Sequence, residues 1–471
     1  MQKYKYQIFT SVIEEQIKNG TFSSGDRLPS VREIKEKYRL SNSSVQSGYD
    51  NLVMKGYVEN RPRSGFFVSL KHDDTVPDHL SKFSKVISDS DFNKKLKLTS
   101  KAGKLSEHTS FNVAAPNDLL IPQKLILRKM QEVIREKGAS ILRYYPANGL
   151  ETLREKIAAR ASKYGCSINA EELIITDGAL QALYIALASV AKAGDLVAVE
   201  SPCVFSVLEV ISNLKLKIIE IPVHYKTGFD LNYLKDILNK NNVRAVVLTP
   251  NFHNPTGILM SDEAKKELAL MAKNHQIPII ENDIYGDLYF EGNRPSTIHN
   301  FDTDGWIITY SSFSKTLAPG IRLGWLNAGR FFAQAERLKF SLGRSVAPIY
   351  QELMIKILHG NMYDRHLRSL RRQLEIQSVE ILNTLRAKFP KGSYFHEPMG
   401  GYSIWGKLPE NVDMEKFTAY CERERIAFTP GFTFTCTDAY SYHFRIVFAE
   451  RITSESFLAL KKAGENISFL Q

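Results

Sequence analysis

The stretch SSFSKTLAPGIRLGW at residues 311–325 sets one lysine, Lys315, among small hydroxyl side chains at the end of an apolar run. An ordinary lysine, with a pKa near ~10.4, is a poor nucleophile at neutral pH. Burial and cationic neighbours lower that value and fit the amine to attack an aldehyde. The hydroxyls of Ser312 and Ser314 and the guanidinium of Arg322 suit a phosphate group. In TDGALQAL (176–183) a strand ends, a glycine turns the chain and a helix starts, so the amides of Gly178, Ala179 and Leu180 point at an anion. Asp283 closes the apolar run PIIEND, where a carboxylate could hold the proton of a pyridine nitrogen. Asn254, in HNPTG, and Tyr285 could both hydrogen-bond a ring hydroxyl. An amine, a phosphate cradle, a carboxylate and two ring-oxygen partners are together what pyridoxal 5'-phosphate requires to act as an electron sink. Each piece alone has a plainer reading, as a βα turn, a strand cap, a common turn sequence or a surface lysine. Their order and spacing carry the signal.

Such residues need a frame that brings strand ends together. LVAVE (196–200), AVVLT (245–249), PIIEND (278–283) and WIITYSS (306–312) are nearly continuous apolar runs that finish in polar residues. Parallel strands covered on both faces read this way. Helical patterns such as SDEAKKELALMAKNH (261–275) lie between them. The expectation is a doubly wound, mostly parallel α/β domain that binds its ligand at the carboxyl ends of the strands. It spans residues 109–471. Residues 71–108 are rich in Lys, Ser and Asp and poor in large apolar side chains, which reads as a linker.

Residues 1–70 form a third region. KYQIFTSVIEEQIKNG (5–20) carries an apolar stripe at Ile8, Val12, Ile13 and Ile17, SVREIKEKY (30–38) is a short helix capped by Ser30, and SNSSVQSGYDNLVMKG (41–56) is a third helix. YVENRPRSGFFV (57–68) reads as strand, turn, strand. Three helices and a hairpin make a winged helix-turn-helix, whose third helix enters a major groove. Its first turn offers Asn42, Ser43, Ser44 and Gln46 to phosphates or base edges, and the hairpin offers Arg61 and Arg63. Eleven basic side chains face seven acidic ones between residues 1 and 70. The plain alternative is a small helical domain for protein contacts.

The whole chain has 471 residues and a net charge of +11, which favours a polyanionic partner such as double-stranded DNA without requiring one. Four scattered cysteines lack the spacing of a disulfide framework or a zinc site. The sequence shows neither a signal-peptide pattern nor an apolar run of membrane-spanning length, so the reading is a cytoplasmic protein without a membrane partner.

GDRLPSVREIKEKYRLSNSSVQSGYDNLVMKGYVENRPRSGFFV (25–68) resembles the GntR-type winged helix nearly end to end. The resemblance implies DNA contacts from Arg27, Arg32 and the start of the third helix. Residues 109–470 resemble the fold-type I aminotransferases through YYPANGLETLR (144–154), TDGALQAL, NPTG, DIYGDLY (283–289), SFSKTLAPGIRLGW and FRIVFA (444–449). That resemblance implies Lys315 as the Schiff-base lysine, Asp283 as the pyridine-nitrogen partner, and Tyr285 and Asn254 at the ring oxygen. Ser312, Arg322 and the 178–180 turn would hold phosphate, Tyr144 would reach a neighbouring subunit's cofactor, and Arg445 would grip a substrate carboxylate. The family usually sets an aromatic ring two residues after the proline of the ESP segment. Here Cys203 and Val204 follow Pro202, so either Phe205 stacks on the cofactor or the stack is absent.

The combination resembles the MocR group of GntR-family regulators, and it implies a homodimer, possibly head-to-tail. The function expected is a pyridoxal phosphate-dependent transcriptional regulator that senses an amino acid, a keto acid or the cofactor itself. A working aminotransferase with secondary DNA binding, and a cofactor-binding scaffold without a DNA role, are the alternatives.

Overall fold

The computed structural model describes residues 5–18, 21–23, 25–54, 57–61, 65–68, 109–224, 228–437, 439–450 and 452–467. The linker reading of 71–108 and Arg63 fall outside these residues.

The N-terminal unit has helices α1 (Lys5–Lys18), α2 (Val31–Tyr38) and α3 (Asn42–Met54), then strands β1 (Val58–Arg61) and β2 (Gly65–Val68). The strands pair antiparallel with Val58 opposite Val68. The buried stripe of α1 is Phe9, Ile13 and Ile17 at four-residue spacing, so Phe9 belongs to the core beside two of the expected residues. Ser30 caps α2 in a capping box with Glu33, and Ser41 caps α3 by accepting from the Ser44 amide at 3.2 Å. Tyr49 on α3 stacks flat on Phe66 of the hairpin with ring centroids 4.1 Å apart. Helix and wing therefore hold one another. Gly48 is required beside them, because a Cβ there would overlap the Phe9 ring.

The large unit begins with β3 (Thr109–Ser110) and is built on β4 (Leu173–Thr176), β5 (Leu196–Ser201), β6 (Lys217–His224), β7 (Gly228–Phe229), β8 (Val243–Leu248), β9 (Ile279–Asn282), β10 (Ile307–Ser312) and β11 (Gly324–Asn327). The last eight form one sheet in the order β4-β11-β10-β9-β8-β5-β6-β7. The four runs read as strands are its parallel centre, while β11 and β7 pair antiparallel to their neighbours. Alternate residues feed opposite layers. Val197 and Val199 pack with helices Gly178–Val190 and Phe205–Asn213, whereas Ala198 packs with Leu231–Lys240 and Asp262–His275. Both faces are covered, which is why the strands are apolar throughout.

A second sheet follows the 27-residue helix Met362–Lys388. It contains β12 (Tyr394–Phe395), β13 (Ser403–Lys407), β15 (Thr429–Pro430) and β16 (His443–Val447) in the order β12-β13-β16-β15, all antiparallel. A short parallel pair joins β3 to β14 (Ile426–Ala427) and ties residues 109–110 to this C-terminal part.

Candidate pyridoxal and DNA sites

The large sheet gathers the candidate residues because its strands run side by side and end at one edge. Pairing of β9 with β10 sets Asp283 beside Ser311, whose hydroxyl donates to the Asp283 carbonyl at 3.0 Å. β11 bridges β10 and β4, with Gly324 opposite both Ser312 and Thr176. That brings Arg322 against Gly178. The fit is tight: Gly178 has φ +76°, and a Cβ there would lie 2.8 Å from Arg322 Nη2. Only glycine takes that backbone conformation without strain. Arg322 donates to the Asp177 carbonyl at 3.0 Å. The helix that starts at Gly178 has no side-chain cap, and uncapped amides at a helix start, here including those of Ala179 and Leu180, are the kind that suit an anion.

Lys315 lies just past β10, and its Nζ donates to the Ala114 carbonyl. Burial, and then the positive fields of Arg445 and Arg322, lower its pKa to about 8. The Ser312 hydroxyl lies 2.9 Å from that of Ser314 and donates to the Leu323 carbonyl at 3.1 Å. Asp283 is fully buried, with Oδ1 accepting from Asn251 Nδ2 at 3.0 Å and Oδ2 from the guanidinium of Arg294. Asn254 Nδ2 donates to the Tyr285 hydroxyl at 3.2 Å, and the Tyr285 ring stands edge-on to Tyr402. Burial raises the Tyr285 phenol above its ordinary range.

Arg445 reaches this group from β16. Its Nη1 donates to Asn254 Oδ1 at 2.9 Å, and its Nη2 donates to Thr429 Oγ1 at 3.0 Å and to the Asn112 carbonyl. The residue is 2% exposed, its Nε is buried without a partner, and burial lowers its pKa to about 10. Among the described residues no carboxylate pairs with it. Phe434 lies under its guanidinium at 5.0 Å, and Phe205 lies 6.5 Å from Phe434. Phe205 is partly exposed at a helix start while Cys203 is buried. Tyr144 stands apart from the cluster, 79% exposed, with the Arg344 guanidinium over its ring at 5.0 Å.

Asn251, Arg294, Tyr402 and Thr429 are the members that sequence reasoning missed. Asn251 had a signal in its position three residues past the end of β8 and three before Asn254. Arg294 and Thr429 come from connections whose course the sequence does not reveal.

In the N-terminal unit Arg27, Arg32, Asn42, Ser43 and Gln46 are exposed and Ser44 is half-buried. Ser43 and Ser44 both bond the Ser41 hydroxyl, Gln46 donates to Asp50 at 2.9 Å, and Arg32 pairs with Glu36 at 3.3 Å. Arg27 lies beside the wing, where its backbone bridges Phe67 and its side chain passes Gly65. Arg61 ends β1.

Comparison with known proteins places both units. Residues 114–457 match the family described as Aminotransferase class I and II, and residues 7–68 match Bacterial regulatory proteins, gntR family. YjiR of Escherichia coli (strain K12), described as an uncharacterized HTH-type transcriptional regulator, is 31% identical over 464 residues, 98% of each chain. The HTH-type transcriptional regulator NorG of Staphylococcus aureus (strain USA300) is 26% identical over 414 residues, 87% of this chain and 92% of its own. Among solved structures, the kynurenine aminotransferase of Pyrococcus horikoshii is similar with a TM-score of 0.74 at 25% identity, over 80% of this chain and 94% of that one. No helix among the described residues is long and apolar enough to cross a membrane. The chain belongs to the GntR-family regulators of the MocR type, in which a winged helix-turn-helix precedes an aminotransferase class I and II domain.

Proposed function

We propose that this regulator binds operator DNA through residues 1–70 and holds pyridoxal phosphate in the domain from residue 109 onward, where an amino or keto acid acts as effector. The observation that carries the cofactor reading is Lys315, a half-buried lysine just past β10 whose Nζ donates to the Ala114 carbonyl, beside the strand-end hydroxyls of Ser312 and Ser314 and with its pKa lowered to about 8. The residues fit the group. Ser312, Ser314, Arg322 and the open helix end at 178–180 suit the phosphate, Asp283 suits the ring nitrogen, and the Asn254–Tyr285 pair suits the ring oxygen. When bound, pyridoxal phosphate supplies an aldehyde for amines and an electron-withdrawing ring. The chain's own part is to lower the Lys315 pKa so that about half of the amine is free of its proton at pH 8, to orient the ring through Asp283 and Tyr285, and to read a carboxylate with Arg445. A buried guanidinium with an unpartnered Nε and no carboxylate paired with it among the described residues suits an incoming carboxylate as its counter-charge. Phe205 takes the place of the expected ring-stacking aromatic.

On the DNA side, Arg27, Arg32, Arg61 and Arg63 would meet phosphates. Asn42, Ser43, Ser44 and Gln46 would face the groove. The assembly proposed is a closed twofold homodimer, with Tyr144 crossing to the second copy and each winged helix reaching the other chain's large domain. The linker is assigned to 71–108 and the protein to the cytoplasm.

The complete set of Lys315, Asp283, Tyr285 and Asn254 also allows amino-group transfer. Incubation with amino acid and keto acid pairs separates the two readings: a sensor changes spectrum without sustained turnover, an enzyme turns over many times. Sequencing the DNA that co-purifies with the chain tests the regulator reading, and recovery of no enriched sequence would overturn it.

A further inference from the structure

Asp283 is not alone behind the pocket. Arg294 donates from Nη2 to Asp283 Oδ2, from Nε to Asp287 Oδ1 at 2.9 Å and from Nη1 to the Pro295 carbonyl at 3.0 Å. The Tyr164 ring lies 3.6 Å from its guanidinium carbon. Asp287 is shared with Arg160 at 3.1 Å, and Arg160 pairs with Asp364 at 2.6 Å. Acid and base thus alternate along one chain of side chains. The exposure of its first four members is 0% for Asp283, 12% for Arg294, 15% for Asp287 and 19% for Arg160. Burial opposes the charge on Arg294, but Asp283, Tyr164 and Asp287 hold it well above its ordinary pKa. Burial likewise works against the Asp287 carboxylate, yet Arg160 and Arg294 keep it below the usual range. Gly286 leaves the necessary space, because a Cβ there would lie 2.7 Å from Arg294 Nη2.

We propose that Arg294 is a positioning residue for the cofactor: by engaging Asp283 it shares that carboxylate's charge and weakens its hold on the proton of the ring nitrogen. The inference rests on the pyridoxal phosphate reading above and deepens it. Both oxygens of Asp283 already accept a hydrogen bond, one of them from a cation. A ring N–H therefore meets a carboxylate whose charge is partly neutralised, and charge-assisted bonds weaken as that charge is shared. The cavity bounded by Asp283, Arg294, Arg160 and Tyr164 is about 30 Å³, room for a water or two, so Arg294 has no space for a ligand of its own. Its influence must pass through Asp283. A less firmly protonated ring withdraws electrons less strongly. The domain is then suited to capture amines more than to carry them through repeated transfer. The same chain reaches the residue after Lys315: Arg160 lies 4.6 Å from the Tyr363 ring, and the Tyr363 hydroxyl donates to Thr316 Oγ1 at 2.6 Å.

The test uses the full chain loaded with pyridoxal phosphate carrying ¹⁵N in the ring, after borohydride reduction has located the adduct on Lys315 in a parallel sample. The nitrogen shift is read in the wild type, Arg294→Met and Asp287→Asn. Arg294→Met frees the Asp283 charge and should move the shift toward the protonated position. Asp287→Asn leaves Arg294 in place with one carboxylate to serve, and should move the shift the opposite way. A merely structural role would loosen the cofactor in both variants without opposed shifts. If Arg294→Met does not fold, Asp287→Asn decides by its direction alone. A wild-type nitrogen already fully protonated, or shifts that agree in sign or stay still, overturns the role of Arg294. Absence of any Lys315 adduct in the wild type overturns the cofactor reading instead, and this inference with it.

Discussion

The pKa of Lys315 can be tested by the pH dependence of cofactor capture. Only the neutral amine attacks an aldehyde, so the capture rate follows the unprotonated fraction. An amine of pKa about 8 is roughly 9% neutral at pH 7, whereas one at ~10.4 is about 0.04% neutral, a rate advantage of roughly 200-fold. Burial causes most of this, and Arg445 and Arg322 add to it. Apoprotein mixed with pyridoxal phosphate across pH 6–11, quenched with borohydride and mapped by peptide mass, gives the rate of adduct formation at Lys315. The rate should rise tenfold per pH unit and level off near pH 8. In Arg445→Met the break should move upward, because one cation has been removed from beside the amine. The sign follows from the charge: a cationic neighbour disfavours a second cation, so its loss favours the protonated form. A wild-type rate that keeps rising to pH 10 without a break near 8 would refute the burial argument.

Gly178→Ala should weaken pyridoxal phosphate binding by tenfold or more, measured by cofactor fluorescence, because a Cβ costs ~1–2 kcal/mol at φ +76° and pushes Arg322 from its place. Arg445→Met should lose the spectral response to amino and keto acids while the Lys315 adduct still forms, and a retained response at unchanged concentrations would remove Arg445 from the ligand site. Gly48→Val should destabilise the winged helix by about 1–3 kcal/mol through overlap with Phe9, seen as loss of DNA binding at a temperature where the large domain stays folded. Arg27→Ala and Arg32→Ala should each weaken binding across DNA sequences and reduce the slope of log affinity against log salt by ~0.9, the signature of one lost phosphate contact. The Arg32–Glu36 pair is solvent-exposed and is readily exchanged for a phosphate.

The sheet was legible because its strands are covered on both faces, which leaves unbroken apolar runs that end where Asp283 and Ser312 begin the site. The cap of α2 was legible where Ser30 precedes an amphipathic stretch. The reversed direction of β11 was not, since GWLN is as apolar as its parallel neighbours and pairing sense leaves no mark on burial. The site was legible where one residue sits at a strand end, as Lys315 and Asp283 do. It was opaque where a partner arrives from afar. Arg294 reads as a loop cation eleven residues past Asp283, and only the return of that loop reveals the pair. Phe9, four residues before Ile13, joins the core although the stripe read from the sequence omits it.

The central claim joins pocket to DNA, and one titration addresses it most directly. The duplex recovered with the protein, labelled with a fluorophore, is titrated with cofactor-loaded full chain at fixed salt, with and without each amino and keto acid that alters the cofactor's spectrum. Coupling between two sites typically amounts to ~1–3 kcal/mol, so at least one such ligand should change the DNA dissociation constant by about 5–150-fold. The change should vanish in Arg445→Met. Equal affinity with every ligand that alters the spectrum would contradict the account.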